Sequence, residues 1–294
     1  MQKELIIEGA KQYSGYITSH IPQENEEGAI RYYFSGSLVM LLLNSAKSFK
    51  PLLLDEKGKV IIEGQEILIP NKNKNSLLKG VREIGSDVDV ITIDEKTFAG
   101  KGNIYHLAII RENCDLATSL CSNWAKANGT MYFDWLTDER KFKDYNVAEL
   151  TMLDGTNVFV TDPLYLTIHK FADALACKIS IERLSNNGKS TAKKEEKYQK
   201  DLRDFASLFN GIVSLYSGID FDKIVIHIIQ SCPDTAFSKF MQTNLEDKIE
   251  QFSSDISTLI DEENQKLFNK FIGSIDKQNR VISEIADDEV KIEH

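Results

Sequence analysis

Apolar residues follow a strand-like spacing in much of the first 160 residues. Residues 84–93 alternate between apolar and polar side chains and predict a strand. Residues 147–153 and 157–160 predict two more strands. Residues 59–69 predict two short strands joined as a hairpin around Gly64. This part of the chain is therefore expected to contain a sheet.

Helix signals are mixed with these strands. The longest apolar run, residues 38–43, follows Ser37, which is suited to a helix N-cap, and predicts a buried helix. Residues 112–127 also favour a helix, whereas the polar tract 71–75 (NKNKN) predicts a loop. The first 160 residues are thus predicted to form an α/β unit.

The pattern becomes helical from Asp162 onwards. Asp162 is placed to cap a helix, and Pro163 suits its first position. Apolar residues then recur at spacings of three and four: Leu164, Ile168, Phe171, Leu175 and Ile179. Residues 185–199 predict a polar loop, and further helices are predicted around 202–216, 245–259 and 267–275. We expect an α+β fold with two parts, an α/β core at 1–160 and a helical bundle at 161–294.

Composition narrows the class of protein. Of the 294 residues, 42% are hydrophobic and 27% are charged, as in ordinary globular proteins. No apolar run approaches the roughly 20 residues that a membrane span needs, and the N-terminus lacks the features of a secretory signal. The four cysteines show no CxxC spacing, which favours reduced thiols. The expected location is cytoplasmic, with no membrane partner.

Charge is unevenly distributed. The net charge of −10 argues against a general electrostatic attraction to nucleic acid. Between residues 183 and 203, however, seven basic residues outnumber three acidic ones by four: Arg183, Lys189, Lys193, Lys194, Lys197, Lys200 and Arg203. This basic strip could hold a phosphate-rich ligand or could be a solvated, lysine-rich loop.

Asp87 and Asp89 are the first candidate for chemistry. Two residues apart on a strand, they share one face, while Val88 and Val90 occupy the other. Paired carboxylates repel each other unless a cation lies between them, and hard oxygen ligands suit Mg²⁺. The pair therefore predicts half of a metal site for phosphoryl transfer, or else a solvent-facing edge strand.

Gly36 and Ser37 are a second candidate. Glycine allows the backbone to approach a phosphate closely, and a helix beginning at this point would present free N–H groups to an anion. The same dipeptide could also be an ordinary turn and cap. Between Ser37 and Asp87 lie 49 residues, and the tract from the 59–69 strands to NKNKN is interpreted as an insertion.

The order of these motifs resembles the polymerase-β-like nucleotidyltransferases, in which Gly-Ser opens a helix and Asp-x-Asp follows on a strand. Two later segments, LTIHKFADAL with Arg183 downstream and KDLRDFASLF, are similar to motifs of the AbiEii-type family, known as toxins and phage-defence proteins. The matching residues are Gly36, Ser37, Asp87, Asp89, Lys170, Arg183, Lys200, Asp201 and Asp204. They span most of residues 34–209.

The resemblance implies a nucleotidyltransferase-like mixed sheet and an enzyme that moves a nucleoside monophosphate from an NTP to an acceptor hydroxyl. It implies Mg²⁺ or Mn²⁺ at Asp87 and Asp89, and nucleotide binding by Gly36, Ser37, Ser86 and Arg183. Lys170, Lys200, Asp201 and Asp204 would be active-site residues. The implied partners are the NTP, RNA or tRNA as acceptor, and a cognate antitoxin protein.

Several alternatives stay open. A metal site of this kind usually needs a third carboxylate, for which Glu149 is the first candidate and Asp134 the second. Lys200 and Asp204 could instead form an ordinary i,i+4 ion pair, and Lys170 could be a surface lysine at the rim of an apolar helix face. The protein could also be a non-catalytic nucleotide- or protein-binding module, or a nucleotidyltransferase that modifies small molecules such as antibiotics.

Overall fold

A computed structural model describes residues 2–55, 57–80, 87–93, 104–106, 130–135, 145–231 and 246–292. Its α+β fold divides into two compact units. The first comprises the described residues up to Leu166, and the second begins at Thr167. The boundary expected at residue 160 therefore lies slightly before the break between the units.

Nine strands of the described chain form one mixed sheet in the first unit. They are β1 (Tyr32–Phe34), β2 (Ala46–Leu54), β3 (Val60–Glu63), β4 (Ile67–Leu68), β5 (Asp87–Thr92), β6 (Ile104–His106), β7 (Thr130–Trp135), β8 (Tyr145–Met152) and β9 (Asn157–Thr161). Their order is β3-β2-β8-β9-β1-β5-β7-β6, with β4 also paired to β2. The β1–β9 and β5–β7 pairs are parallel, and the others are antiparallel. The strands predicted at 147–153 and 157–160 are confirmed as β8 and β9.

Two of the sequence predictions about the inserted segment are wrong. β3 and β4 are strands, but they do not form a hairpin with each other, because both pair with β2. The NKNKN tract begins a helix rather than a loop, α3 (Asn71–Lys79). Leu77 is fully buried, and α3 packs against α2 (Gly36–Leu43), so tertiary packing stabilises a helix that the polar sequence does not announce.

The remaining helix in the described part of the first unit, α1 (Gln2–His20), packs against α2. The apolar run at 38–43 forms most of α2 and is buried throughout, as predicted. Its N-cap, however, is Ser35 and not Ser37, so Ser37 lies inside the first turn. The predicted helix at 112–127 lies outside the described residues.

The described part of the second unit is helical. Its helices are α4 (Pro163–Asn186), α5 (Ala192–Gly211), α6 (Phe221–Ser231), α7 (Glu246–Ser257) and α8 (Gln265–Ile292), with short 3-10 turns at Val213–Leu215 and Glu262–Asn264. The predicted cap of α4 is confirmed, because the Asp162 carboxylate accepts the Leu164 N–H at 2.9 Å. No helix of the described chain is both long enough and apolar enough to cross a membrane.

Phenylalanines form the core of this unit. The Phe171 ring on α4 lies 5.5 Å from Phe205 on α5, 4.9 Å from Phe252 on α7 and 5.0 Å from Phe271 on α8, measured between centroids. All four side chains are buried, and each buried aromatic stabilises the fold by about 1.5–3 kcal/mol. This packing fixes which faces of α4 and α5 meet.

The predicted loop at 185–199 is mostly helix. α4 continues to Asn186, and α5 begins at Ala192 after Thr191. The Thr191 hydroxyl donates a 2.7 Å hydrogen bond to Glu195 in the first turn. Lysine and glutamate are good helix formers, so a segment that is polar on all sides can still be helical.

Candidate active site

Asp87 and Asp89 lie at the beginning of β5, in the middle of the sheet. β5 is flanked by β1 on one side and β7 on the other, and Asp89 is paired in register with Asp134 of β7. Residues paired across neighbouring strands occupy the same face of a sheet, as do alternate residues of one strand. The backbone register therefore places three aspartate positions close together on one face of the sheet.

The start of α2 lies beside these aspartate positions. β1 runs antiparallel to β5, and Phe34 pairs with Val90. Continuing that register by one residue sets Ser35 level with Asp89, and α2 itself contacts β5. The 49 intervening residues are accommodated by β2, β3, β4 and α3, so the insertion does not separate Gly36 and Ser37 from the aspartates.

Glycine is required at position 36. Gly36 has φ +63°, in the left-handed region that other residues rarely adopt. This conformation lets the chain turn directly from β1 into α2. Ser35 makes no side-chain capping hydrogen bond, and the first N–H groups of a helix have no partner within the helix. The partial positive charge of the α2 N-terminus therefore lies beside the position of Asp89.

Glu149 lies apart from the three aspartate positions. β8 is separated from β5 by β9 and β1, which sets their backbones about 14 Å apart at roughly 4.8 Å per strand. The Glu149 carboxylate accepts a 2.7 Å hydrogen bond from Asn157 and lies 3.4 Å from the Lys50 ammonium. Of the two candidates for a third carboxylate, the register favours Asp134.

Lys170, Asp201 and Asp204 form a buried cluster in the second unit. The Lys170 ammonium lies 3.8 Å from an oxygen of each aspartate. Lys170 is only 9% exposed, and Asp201 and Asp204 are 1% and 2% exposed. The interpretation of Lys170 as a surface lysine is therefore wrong, because the side chain turns into the α4–α5 contact.

A fourth charged group completes the cluster. Lys197 donates to the second oxygen of Asp201 at 2.5 Å, and the Cys177 thiol lies 4.0 Å from the same oxygen. Burial alone would lower the pKa of Lys197, but the Asp201 carboxylate outweighs it and raises that pKa. Burial raises the pKa of Cys177, which makes its thiol unreactive.

Lys197 is the cluster residue that the sequence reasoning missed. The sequence left open an i,i+4 pair between Lys200 and Asp204, whereas the described pair with this spacing is Lys197–Asp201. Lys200 is half-buried and Arg183 is exposed. Arg183 follows Lys170 by 13 residues on the same helix, about 20 Å along its axis, so the structure does not bring these two together.

Ser86 lies outside the described residues, as do the side chains of Asp87, Asp89 and Asp134. Among the side chains that are described, no three His, Cys, Asp or Glu residues form a metal-binding group. Comparison with protein-family models, curated proteins and solved structures gave no match.

Proposed function

We propose that this protein is a Mg²⁺-dependent nucleotidyltransferase. One observation carries the proposal: the strand register sets Asp87, Asp89 and Asp134 on one face beside the N-terminus of α2. Carboxylates beside free helix N–H groups can receive a metal–triphosphate, since the carboxylates take the cation and the helix takes the anion. The resemblance of the motifs to the AbiEii-type family supports the same function.

In the proposed reaction, an acceptor hydroxyl attacks the α-phosphorus of an NTP. A bond forms between the acceptor oxygen and phosphorus, the bond to the bridging oxygen of the β-phosphate breaks, and pyrophosphate leaves. Mg²⁺ or Mn²⁺, held by Asp87, Asp89 and Asp134, would supply positive charge to the triphosphate. The α2 N–H groups would bind and orient the phosphates, and positioning of this kind accounts for much of the catalysis in phosphoryl transfer.

RNA is the proposed acceptor. α5 carries exposed basic residues in its first half, among them Lys193, Lys194 and Lys197. A local excess of positive charge can hold a phosphate backbone even on an acidic protein. The family resemblance suggests tRNA and a cognate antitoxin protein as partners, which would make this a toxin-like or defence enzyme.

The test is label transfer from each NTP in turn, with Mg²⁺ and total RNA. We expect the wild type to label RNA and an Asp87→Ala/Asp89→Ala variant not to do so. Asp154→Ala is a matched control, because Asp154 is an exposed turn aspartate in the same unit. Transfer by the double variant at the wild-type level, or no transfer by any protein, would contradict the proposal.

The same samples distinguish the alternatives. Label on a small molecule but not on RNA would indicate a small-molecule nucleotidyltransferase, which the net charge of −10 allows more readily than RNA binding. NTP binding in a calorimeter that needs neither Mg²⁺ nor the two aspartates would indicate a non-catalytic binding module.

A further inference from the structure

β3 is an edge strand of the sheet, and its side chains are exposed. It pairs with β2 on one side, and in the described chain no strand covers its other side. All four of its residues are exposed, and Ile61 and Ile62 are each 59% exposed. Leu68 of β4, further along the same edge of β2, is exposed as well.

Such an edge normally carries protection. Sheet edges expose unpaired N–H and C=O groups, and natural proteins protect them with charged residues, prolines or bulges. β3 has two such devices, a bulge and the charged residue Glu63 at its end. In the bulge, Leu53 pairs with Ile62 and Leu54 with Val60, which leaves Ile61 as the extra residue. The other three side chains of β3, Val60, Ile61 and Ile62, are aliphatic and exposed, which is typical of a surface that is covered by a partner.

The charges near the two ends of this strand are complementary to those of a second copy. The sequence Lys59-Val-Ile-Ile-Glu63 has a positive charge at one end and a negative charge at the other, with only aliphatic residues between them. Two copies aligned antiparallel would set Lys59 of each against Glu63 of the other, twice, and Val60 against Ile62. A parallel alignment would instead bring like charges together, which is unfavourable.

We propose that β3 is the contact surface of a homodimer, in which the β3 strands of two copies lie antiparallel about a two-fold axis at Ile61. A two-fold interface is self-complementary by definition, and this segment satisfies that condition. Lys59 and Glu63 already have partners, Glu27 at 4.0 Å and Lys50 at 2.9 Å. Both side chains are more than half exposed, so they can also reach a second copy.

The proposed dimer is independent of the proposed enzyme. β3 is five strand positions from β5 in the sheet, or about 24 Å. A second copy at β3 would therefore not use the aspartates or the start of α2. Loss of the dimer and loss of nucleotidyl transfer are separate results.

The test is the molar mass of the full-length chain, measured by sedimentation or light scattering over a range of concentrations. We expect the wild type to dimerise as concentration rises and Ile62→Lys to stay monomeric. Lys59→Glu and Glu63→Lys should each weaken the dimer about tenfold, because each places two like-charge pairs across the interface. The double variant Lys59→Glu/Glu63→Lys should recover most of that affinity.

Controls keep the result specific to this edge. Leu5→Lys changes an exposed aliphatic residue on α1 and should leave dimerisation unchanged. Circular dichroism should show every variant folded, since the substituted side chains are exposed. A wild type that is monomeric at all concentrations, a dimer that survives Ile62→Lys, or a charge-exchanged variant without recovery would overturn the proposal.

Discussion

Replacing Lys170 with methionine tests whether the buried cluster stabilises the second unit. The substitution keeps the length of the side chain and removes its charge. Asp204 then loses the ammonium at 3.8 Å, while Asp201 keeps Lys197. Breaking a buried ion pair by removing one partner costs about 3–5 kcal/mol, and the remaining Lys197 contact puts our expectation at about 3 kcal/mol. Whole domains are stable by only about 5–15 kcal/mol, so the effect should be large.

Lys197→Met is the matched control. It removes the other lysine of the cluster, but this side chain is 46% exposed, and solvent screens the charge that it provides. We expect a loss of about 1 kcal/mol. The pKa of Lys197 is raised in the folded state, so its contribution is complete below 10.5, the unfolded value, and disappears as pH rises through the folded value.

The measurement is urea unfolding of the wild type and both variants, followed by circular dichroism. A double-mutant cycle with Asp204→Asn isolates the Lys170–Asp204 interaction from the general effect of each substitution. If Lys170→Met lowers the free energy of unfolding by less than about 1 kcal/mol, or if the cycle shows no coupling, the cluster is not a stabilising element.

Substitutions at four further positions test local features of the fold by thermal or urea unfolding. Gly58→Ala should lower stability by about 3 kcal/mol or more, because Gly58 has φ +80° and an added Cβ would lie 2.0 Å from the Ile30 carbonyl oxygen. Gly28→Ala, at φ +73° with no atom within 4 Å, should cost only about 1 kcal/mol, and equal losses at the two sites would refute the steric explanation. Lys74→Met should stabilise the protein by about 1–2 kcal/mol near neutral pH, because burial lowers the pKa of Lys74 and no described residue pairs with it. That gain should be largest below the folded pKa and vanish above the unfolded value of 10.5, so a gain that persists at high pH would contradict the electrostatic cause. Asp162→Ala should cost about 1 kcal/mol through loss of the α4 cap and Asp162→Asn much less; similar losses for both would show that the cap is unimportant.

Elements with a strong local signal could be predicted from the sequence. The strands predicted at 147–153 and 157–160 are β8 and β9, and the Asp162-Pro163 pair identified the start of α4. α3 could not be predicted in this way, since its helix depends on packing of Leu77 within a polar segment. The hairpin prediction failed for a related reason: whether two short strands pair with each other or with a third is decided by tertiary contacts.

The candidate site shows the same division. The resemblance of the motifs singled out Lys170, Asp201 and Asp204, but their meeting depends on how α4 packs against α5. Spacing alone favoured Lys200 as the partner of Asp204. Among the described ion pairs, both aspartates are paired with Lys170, which approaches them from the other helix. Likewise, Gly36 and Ser37 are far from Asp87 in the sequence, and the β1–β5 pairing brings them close to the β5 aspartates.

The charges of the cluster determine which substitution best tests catalysis. Among the described ion pairs, Lys170 and Lys197 provide two positive charges against the two negative charges of Asp201 and Asp204. A metal ion or a phosphate entering between these four groups would have to compete with buried ion pairs. Loss of activity in Lys170→Met would therefore be ambiguous, because the same substitution weakens the fold. Replacing Asp87 and Asp89 removes none of the side chains of these described ion pairs, so it tests the nucleotidyltransferase proposal more directly.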